Sequence, residues 1–235
     1  MAEIKKILIA NRGEIVQRAI RTIREMGKKS VAVYSAGDKN ASYLKHADEA
    51  VCIGGAKSSE SYLNIPAIIT AAEMTGCDAI FPGYGFLSEN QDFVEICRLH
   101  NIKFIGPSVE VMEKMADKSK AKEEMIRAGV PVVPGSKGSV HSVTEGRKVA
   151  LEIGYPIMAK AAAGGGGRGM RLIKEESEFD QLFMAASSEA LAAFGDGTMY
   201  LERFINNPRH IEVQVVGDSH GNAIHIGERD CSLQR

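Results

Sequence analysis

The sequence predicts an α/β protein: a doubly wound parallel-sheet domain at the N-terminus, then a smaller α+β domain, then the opening antiparallel strands of a third. Three observations predict it. Over residues 1–110, short continuous apolar runs alternate with amphipathic stretches, the pattern of buried parallel strands joined by covering helices. After Gly106-Pro107 the chain changes to a charged helical stretch, a Pro/Gly-rich segment and a hairpin closed by glycines. From Arg209 apolar and polar residues alternate, the period of a strand with two unlike faces.

Each element follows in order. Ile7-Leu8-Ile9-Ala10 reads as a buried strand. Ile15, Val16, Ala19, Ile20, Ile23 and Met26 then recur at helical spacing, with Gly27 where a helix terminator belongs. Val31–Tyr34 and Ala50–Ile53 are the next strands. A helix from Ile65 to Met74 leads into the strand Ala79-Ile80-Phe81, and a helix through Phe93, Val94, Ile96, Cys97 and Leu99 leads into Phe104-Ile105. Ser108 to about Ala128 reads as helical and charged, ended by Gly129-Val130-Pro131. Pro131, Pro134, Gly135 and Gly138 read as a linker. Ile157–Lys160 and Met170–Ile173 form a hairpin, followed by a helix from Phe179 to about Ala193 and the strand Met199–Phe204. Ile211, Val213 and Val215 share one strand face and His210, Glu212 and Gln214 the other, with Ala223–Asp230 as an antiparallel partner. The expected boundaries are an α/β domain over 1–110, a helical connection over 111–130, an α+β unit over 131–204 and an incomplete unit over 205–235.

Composition narrows the function. The chain has 235 residues, with Lys+Arg 29 against Asp+Glu 30, so it lacks the basic excess of an electrostatically driven nucleic-acid binder. With 44% hydrophobic and 25% charged residues it reads as a folded globular protein. No apolar run approaches the ~18 residues of a membrane helix, and the apolar stretch after Lys5-Lys6 is too short for a secretory signal, so a cytoplasmic location is expected. Cys52, Cys77, Cys97 and Cys231 form no C-x-x-C pair and are read as small buried thiols.

Five of the 24 glycines fall between Gly164 and Gly169. Gly164-x-Gly166-x-x-Gly169 matches the dinucleotide fingerprint in letters only. That fingerprint opens a helix, whereas Met170-Arg171-Leu172-Ile173 reads as a strand. The Walker A pattern is absent. What remains is a hairpin tip without side chains, preceded by Lys160 in an otherwise apolar strand. Such a loop can bring backbone N–H groups to phosphate oxygens while the lysine neutralises charge. An ordinary flexible surface hairpin is the alternative. Lys160 points the other way, because an ammonium on an apolar strand calls for an anion.

Lys160 followed by Gly164-Gly165-Gly166-Gly167-Arg168-Gly169-Met170 resembles the phosphate loop of ATP-grasp enzymes, biotin carboxylases in particular. Ile9-Ala10-Asn11-Arg12-Gly13-Glu14-Ile15, His46–Ala50, Tyr62-Leu63-Asn64-Ile65-Pro66 and Pro82-Gly83-Tyr84-Gly85-Phe86-Leu87-Ser88-Glu89-Asn90 are similar to that family. So are Phe104–Pro107, Asp117-Lys118, Asn207–Val215 and Glu228–Ser232. The likeness runs through the whole chain in order. The chain resembles the N-terminal half of a biotin carboxylase, with 131–204 as the ATP-grasp lid and 205–235 as the start of the C-terminal ATP-grasp subdomain.

The resemblance implies an ATP-binding set: Lys118 reaching the phosphates, and Lys160 the α-phosphate and adenine side. Gly165, Gly166 and Gly167 would close their backbone over the phosphates, and Glu202, Arg203, Phe204 and Ile205 would read adenine. His210 would lie near the ribose, and Gln234 near the phosphates or bicarbonate. Without the family, Lys118 and His210 would read as solvated residues. Two features depart from the family pattern. Ala161-Ala162-Ala163 stands where a serine and an earlier glycine are usual, and Arg203-Phe204 replaces a lysine and a tyrosine.

The implied activity is ligation: ATP-dependent carboxylation of biotin on a carrier protein, with bicarbonate activated as carboxyphosphate. ATP, Mg2+ (or Mn2+), bicarbonate and biotin are the implied cofactors and substrates. A biotin carboxyl carrier protein, a carboxyltransferase and a second copy in a homodimer are the implied partners, with neither nucleic acid nor membrane. Fatty acid biosynthesis is the implied setting. The family's metal ligands and catalytic base have no match before Arg235, so no catalytic or metal residue is named, and residues 1–235 alone are expected to be inactive. The competing readings are another ATP-grasp ligase, of the carbamoyl phosphate synthetase type, and a non-catalytic nucleotide-binding fragment.

Overall fold

In the computed structural model the described residues are 3–116, 118–162, 169–218 and 220–233, with the side chains of 116 and 118–120 also outside the description. The chain divides into two compact units, Met1–Glu124 and Met125–Arg235.

The first unit is built on a five-stranded parallel sheet in the order β3-β2-β1-β4-β5: β1 (Lys6–Ile9), β2 (Lys29–Tyr34), β3 (Glu49–Cys52), β4 (Ala79–Phe81) and β5 (Lys103–Phe104). Period-two alternation sorts the central strand between two cores. Ile7 and Ile9 pack with Val16, Ile20 and Ile23 of α1 (Glu14–Glu25) on one face. On the other, Leu8 joins Ile68 and Ile69 of α2 (Ile65–Met74) and Phe93 and Cys97 of α3 (Gln91–Leu99). Asn64 and Asn90 cap α2 and α3, accepting from Ala67 and Phe93 N–H at 3.1 and 2.8 Å. The doubly wound domain is thus as the sequence predicts.

The expected helical stretch over 108–128 contains α4 (Val109–Ala116) and α5 (Lys118–Arg127), with Asp117 between them outside the described residues. One detail differs. Cys77 and Cys97 are buried, and burial raises the Cys97 thiol to about 11, but Cys52 is exposed, because β3 is an edge strand.

The second unit contains a three-stranded antiparallel sheet in the order β7-β6-β8: β6 (Ile157–Ala161), β7 (Met170–Ile173) and β8 (Met199–Arg203). Ile157, Ala159, Ala161, Ile173, Met199 and Leu201 are buried with Phe179, Phe183, Ala186 and Ala190 of α7 (Phe179–Phe194). A further helix, α6 (Val143–Ile153), completes this core; the sequence reading gave no helix there. Ser142 caps it, accepting from Glu145 N–H at 3.2 Å. The expected linker also has a structural role. Val140 exchanges backbone hydrogen bonds with Met199 at 2.7 and 3.0 Å, and Pro134 O accepts from Arg203 N–H at 2.8 Å. This segment therefore covers the outer edge of β8, satisfying groups that would otherwise be open. The last element is the antiparallel pair β9 (Ile211–Gly217) and β10 (Ala223–Asp230), joined as the alternation predicts.

Candidate nucleotide site

Register places the central pair of charges. In β6, Met158 and Lys160 point away from the buried Ile157, Ala159 and Ala161. Lys160 pairs across the sheet with Met170 and Tyr200, and Met158 with Leu172 and Glu202. Residues opposite one another in an antiparallel pair share a face. Lys160 and Glu202 therefore sit diagonally on one half-buried face, and their side chains form a hydrogen-bonded ion pair. Met158, Met170, Leu172 and Tyr200 flank them, all half-buried. The anion that the lone lysine calls for is present in the chain itself. Sequence reasoning singled out both charges but not their partnership, and it missed the four flanking residues, whose signal was the alternation within β6 and β7.

The base of the glycine loop adjoins this face. Ala161 N–H donates to Gly169 O, and Ala162 N–H to Thr198 O, each at 2.9 Å, so the hairpin is hydrogen-bonded up to that level. Gly169 has φ +66°, and a Cβ there would lie 2.9 Å from Ala161 Cβ and 3.3 Å from Ala190 Cβ. Glycine is required at the loop's return, by backbone conformation and by space together. Gly165, Gly166, Gly167 and Gln234 lie outside the described residues, as does the side chain of Lys118 at the first position of α5.

The remaining expected residues separate. Arg203 lies on the opposite face of β8 from Glu202, and its guanidinium donates to Ile153 O at the end of α6. Its backbone N–H is taken by Pro134 O at 2.8 Å, and that of Phe204 by Pro156 O at 3.0 Å. Ile205 is exposed. His210 stands at the start of the β9–β10 pair: its carbonyl accepts from Cys231 N–H at 2.7 Å, and its Nε2 is 3.6 Å from Glu212 Oε1. The hydrogen bond from Arg229 holds the Glu212 carboxyl below its ordinary value.

The first unit has its own polar cluster where the sheet's strand order reverses, beyond the C-terminal ends of β1 and β4. Buried Asn11 donates from Nδ2 to Pro82 O at 2.7 Å and to Tyr84 O at 2.8 Å, tying the two loops together. Arg12 lies over the stacked rings of Tyr62 and Phe86, 5.7 and 5.9 Å from their centroids. Tyr62 Oη donates to Asp38 at 2.6 Å. Burial pushes the Asp38 carboxyl up, but hydrogen bonds from Tyr62 and Ser35 and the charge of Arg12 outweigh it and leave it below the ordinary value. Among the described residues no three His, Cys, Asp or Glu side chains gather as a divalent cation would require.

Comparison with known proteins places both units. Residues 3–112 match the family model "Biotin carboxylase, N-terminal domain", and residues 117–235 match "Carbamoyl-phosphate synthase L chain, ATP binding domain". A biotin carboxylase of Nostoc is 59% identical over 98% of this chain and 52% of its own length. The crystal structure of a biotin carboxylase–beta-gamma-ATP complex from Campylobacter jejuni superposes with a TM-score of 0.88 at 68% identity, covering 99% of this chain and 52% of that one. The biotin carboxylase domain of Hydrogenobacter thermophilus 2-oxoglutarate carboxylase, a dimer with MgADP, ADP and bicarbonate, gives 0.84 at 50% identity over 100% of this chain and 52% of that one. The chain spans about half the length of the curated relatives it matches.

Proposed function

Because the chain belongs to the biotin carboxylase family, with that family's N-terminal domain followed by an ATP-binding domain, we propose that it forms the nucleotide-binding side of an enzyme that carboxylates biotin with ATP and bicarbonate through carboxyphosphate. The observation that carries this is the 68% identity, over 99% of the chain, to a biotin carboxylase crystallised with a nucleotide. The name of the second family model by itself would also suit a carbamoyl phosphate synthetase-type ligase. The match of residues 3–112 favours biotin.

Phosphoryl transfer is chiefly a matter of position and charge, and the residues here are suited to supply both. In this reading Lys118 and Lys160 meet phosphate oxygens, and the backbone of Gly165, Gly166 and Gly167 lies over them. The half-buried apolar surround of Lys160 excludes water and strengthens each contact. Glu202, Arg203, Phe204 and Ile205 border the base. Since the N–H groups of Arg203 and Phe204 are engaged within the chain, base contacts fall to other groups of that segment. His210 and Gln234 would complete the nucleotide's surround. A magnesium ion would supply phosphate charge neutralisation. The described residues offer no ligand set for it.

A biotin carrier protein and a carboxyltransferase are the proposed partners, with a homodimer as the assembly, supported by the dimeric Hydrogenobacter relative. The proposed setting is cytoplasmic fatty acid biosynthesis. An Arabidopsis relative is chloroplastic, and no described helix is long and apolar enough to cross a membrane. The test is ATP cleavage by the full-length protein. The reading expects it to depend on bicarbonate and to rise with biotin; cleavage indifferent to both would overturn it.

A further inference from the structure

We propose that Glu189, on α7, is a positioning residue: it orients Arg171 so that the guanidinium holds the backbone where the glycine loop re-enters the sheet. The inference rests on the nucleotide reading above and goes beyond it, giving a role to two charged residues that the reading does not use.

Strand β7 is an edge strand, and its first residues carry the loop's return. Gly169 O accepts from Ala161 N–H and so points into the sheet. Successive carbonyls of a strand alternate in direction, which turns Met170 O to the open edge, where no ladder partner waits. Arg171 supplies the missing donor: its Nη1 bonds Met170 O at 2.8 Å. Its Nη2 lies 2.8 Å from Glu189 Oε2. That oxygen is shielded from solvent and, apart from this ion pair, has no hydrogen-bonding partner among the described residues. A carboxylate oxygen so placed needs a cation, and the guanidinium is the one beside it. The same face of α7 meets the loop's return. Ala186, Glu189 and Ala190 share that face at i, i+3 and i+4, and a Cβ at Gly169 would lie 3.3 Å from Ala190 Cβ and 3.6 Å from Ala186 O. Close approach and ion pair thus fix residues 169–171 against one helix. Met170, in the middle of them, is the cross-strand neighbour of Lys160. The planar fork of arginine can serve a carboxylate and a carbonyl together. A lysine ammonium is a single point, and in reaching Glu189 it would leave Met170 O open.

The test measures KM and kcat for bicarbonate-dependent ATP cleavage by the full-length protein in the wild type, Arg171→Lys, Glu189→Ala and Glu189→Gln. The two side chains are 39% and 37% exposed, so changes to the pair should move the melting temperature little. Arg171→Lys and Glu189→Ala should raise the KM for ATP about 3- to 10-fold, the worth of one modest hydrogen bond, and leave the KM for bicarbonate unchanged. Glu189→Gln, whose amide oxygen still accepts from Arg171, should stay within about twofold of the wild type. An unchanged KM for ATP in Arg171→Lys and Glu189→Ala would overturn the inference while the nucleotide reading stands. So would a rise in both KM values together with a lowered melting temperature, the mark of a merely structural pair. A wild type that cleaves no ATP would overturn the nucleotide reading and the inference with it. Should Glu189→Ala prove unfolded, Arg171→Lys against Glu189→Gln gives the same comparison.

Discussion

Replacing Gly169 by alanine should destabilise the second unit by about 2–5 kcal/mol, and the figure can be built from two separable parts. Gly169 has φ +66°, and a left-handed conformation costs a residue with a Cβ roughly 1–2 kcal/mol. The added methyl would also meet Ala161 Cβ at 2.9 Å and Ala190 Cβ at 3.3 Å. Both neighbours are buried methyls fixed to backbone, one on β6 and one on α7, and neither can rotate away. Overpacking of this kind adds about 1–3 kcal/mol. Gly195 supplies the control: its φ is +75°, but a Cβ there meets nothing within 4 Å, so Gly195→Ala should cost only the conformational part. The double substitution Gly169→Ala/Ala161→Gly removes the closer contact and should recover part of the loss. Urea unfolding followed by far-ultraviolet circular dichroism measures all three. Equal costs at Gly169 and Gly195 would refute the packing argument, and a cost below about 1 kcal/mol at both would refute the conformational one as well.

Two further outcomes follow from the first unit. Asn11→Ala should destabilise it by about 2–4 kcal/mol, since two loop carbonyls bonded at 2.7 and 2.8 Å lose a buried donor; native-state hydrogen exchange should show faster exchange across residues 82–90, and unchanged protection there would contradict the strap role. Asp48 is held at about 2 by hydrogen bonds from Ser30 N–H and, outweighing a smaller burial effect, from Lys29 and the Ser30 hydroxyl. A depressed carboxyl stabilises the fold fully above its ordinary value near 4 and loses that contribution as pH falls towards 2. Asp48→Asn should therefore lower the melting temperature at pH 7 by a few degrees, with the difference vanishing near pH 2; a difference independent of pH would contradict the assignment.

The parallel sheet was legible because its strands are covered on both faces and so read as unbroken apolar runs. Helix α6 was not, because Gly146 interrupts its pattern. Phe179 and Phe183 explain the interruption, since a Cβ at 146 would lie 2.9 and 3.1 Å from their rings. The spacing of Ser142 and Glu145 was the available signal. The segment after Pro131 looked like a linker because its prolines and glycines are indeed incompatible with a helix, yet the same irregular chain closes the edge of β8 by backbone bonds and by the buried Ser136 hydroxyl, which accepts from Leu201 N–H at 3.3 Å. At the candidate site, Lys160 stood out as a lone charge in an apolar strand, but its partner is 42 residues away and only the register of β6 against β8 joins them. Arg203 and Glu202, adjacent in sequence, were read together. Strand geometry sends them to opposite faces, and the arginine serves the end of α6 instead.

The most direct measurement is the fate of carbon from 13C-bicarbonate when the full-length protein is incubated with ATP, magnesium and biotin, read by NMR or mass spectrometry. The account predicts label on biotin, formed only with ATP present and strongly reduced by Lys160→Ala. ATP consumed with no label on biotin, or label passing to carbamoyl phosphate when ammonia is supplied, would contradict it.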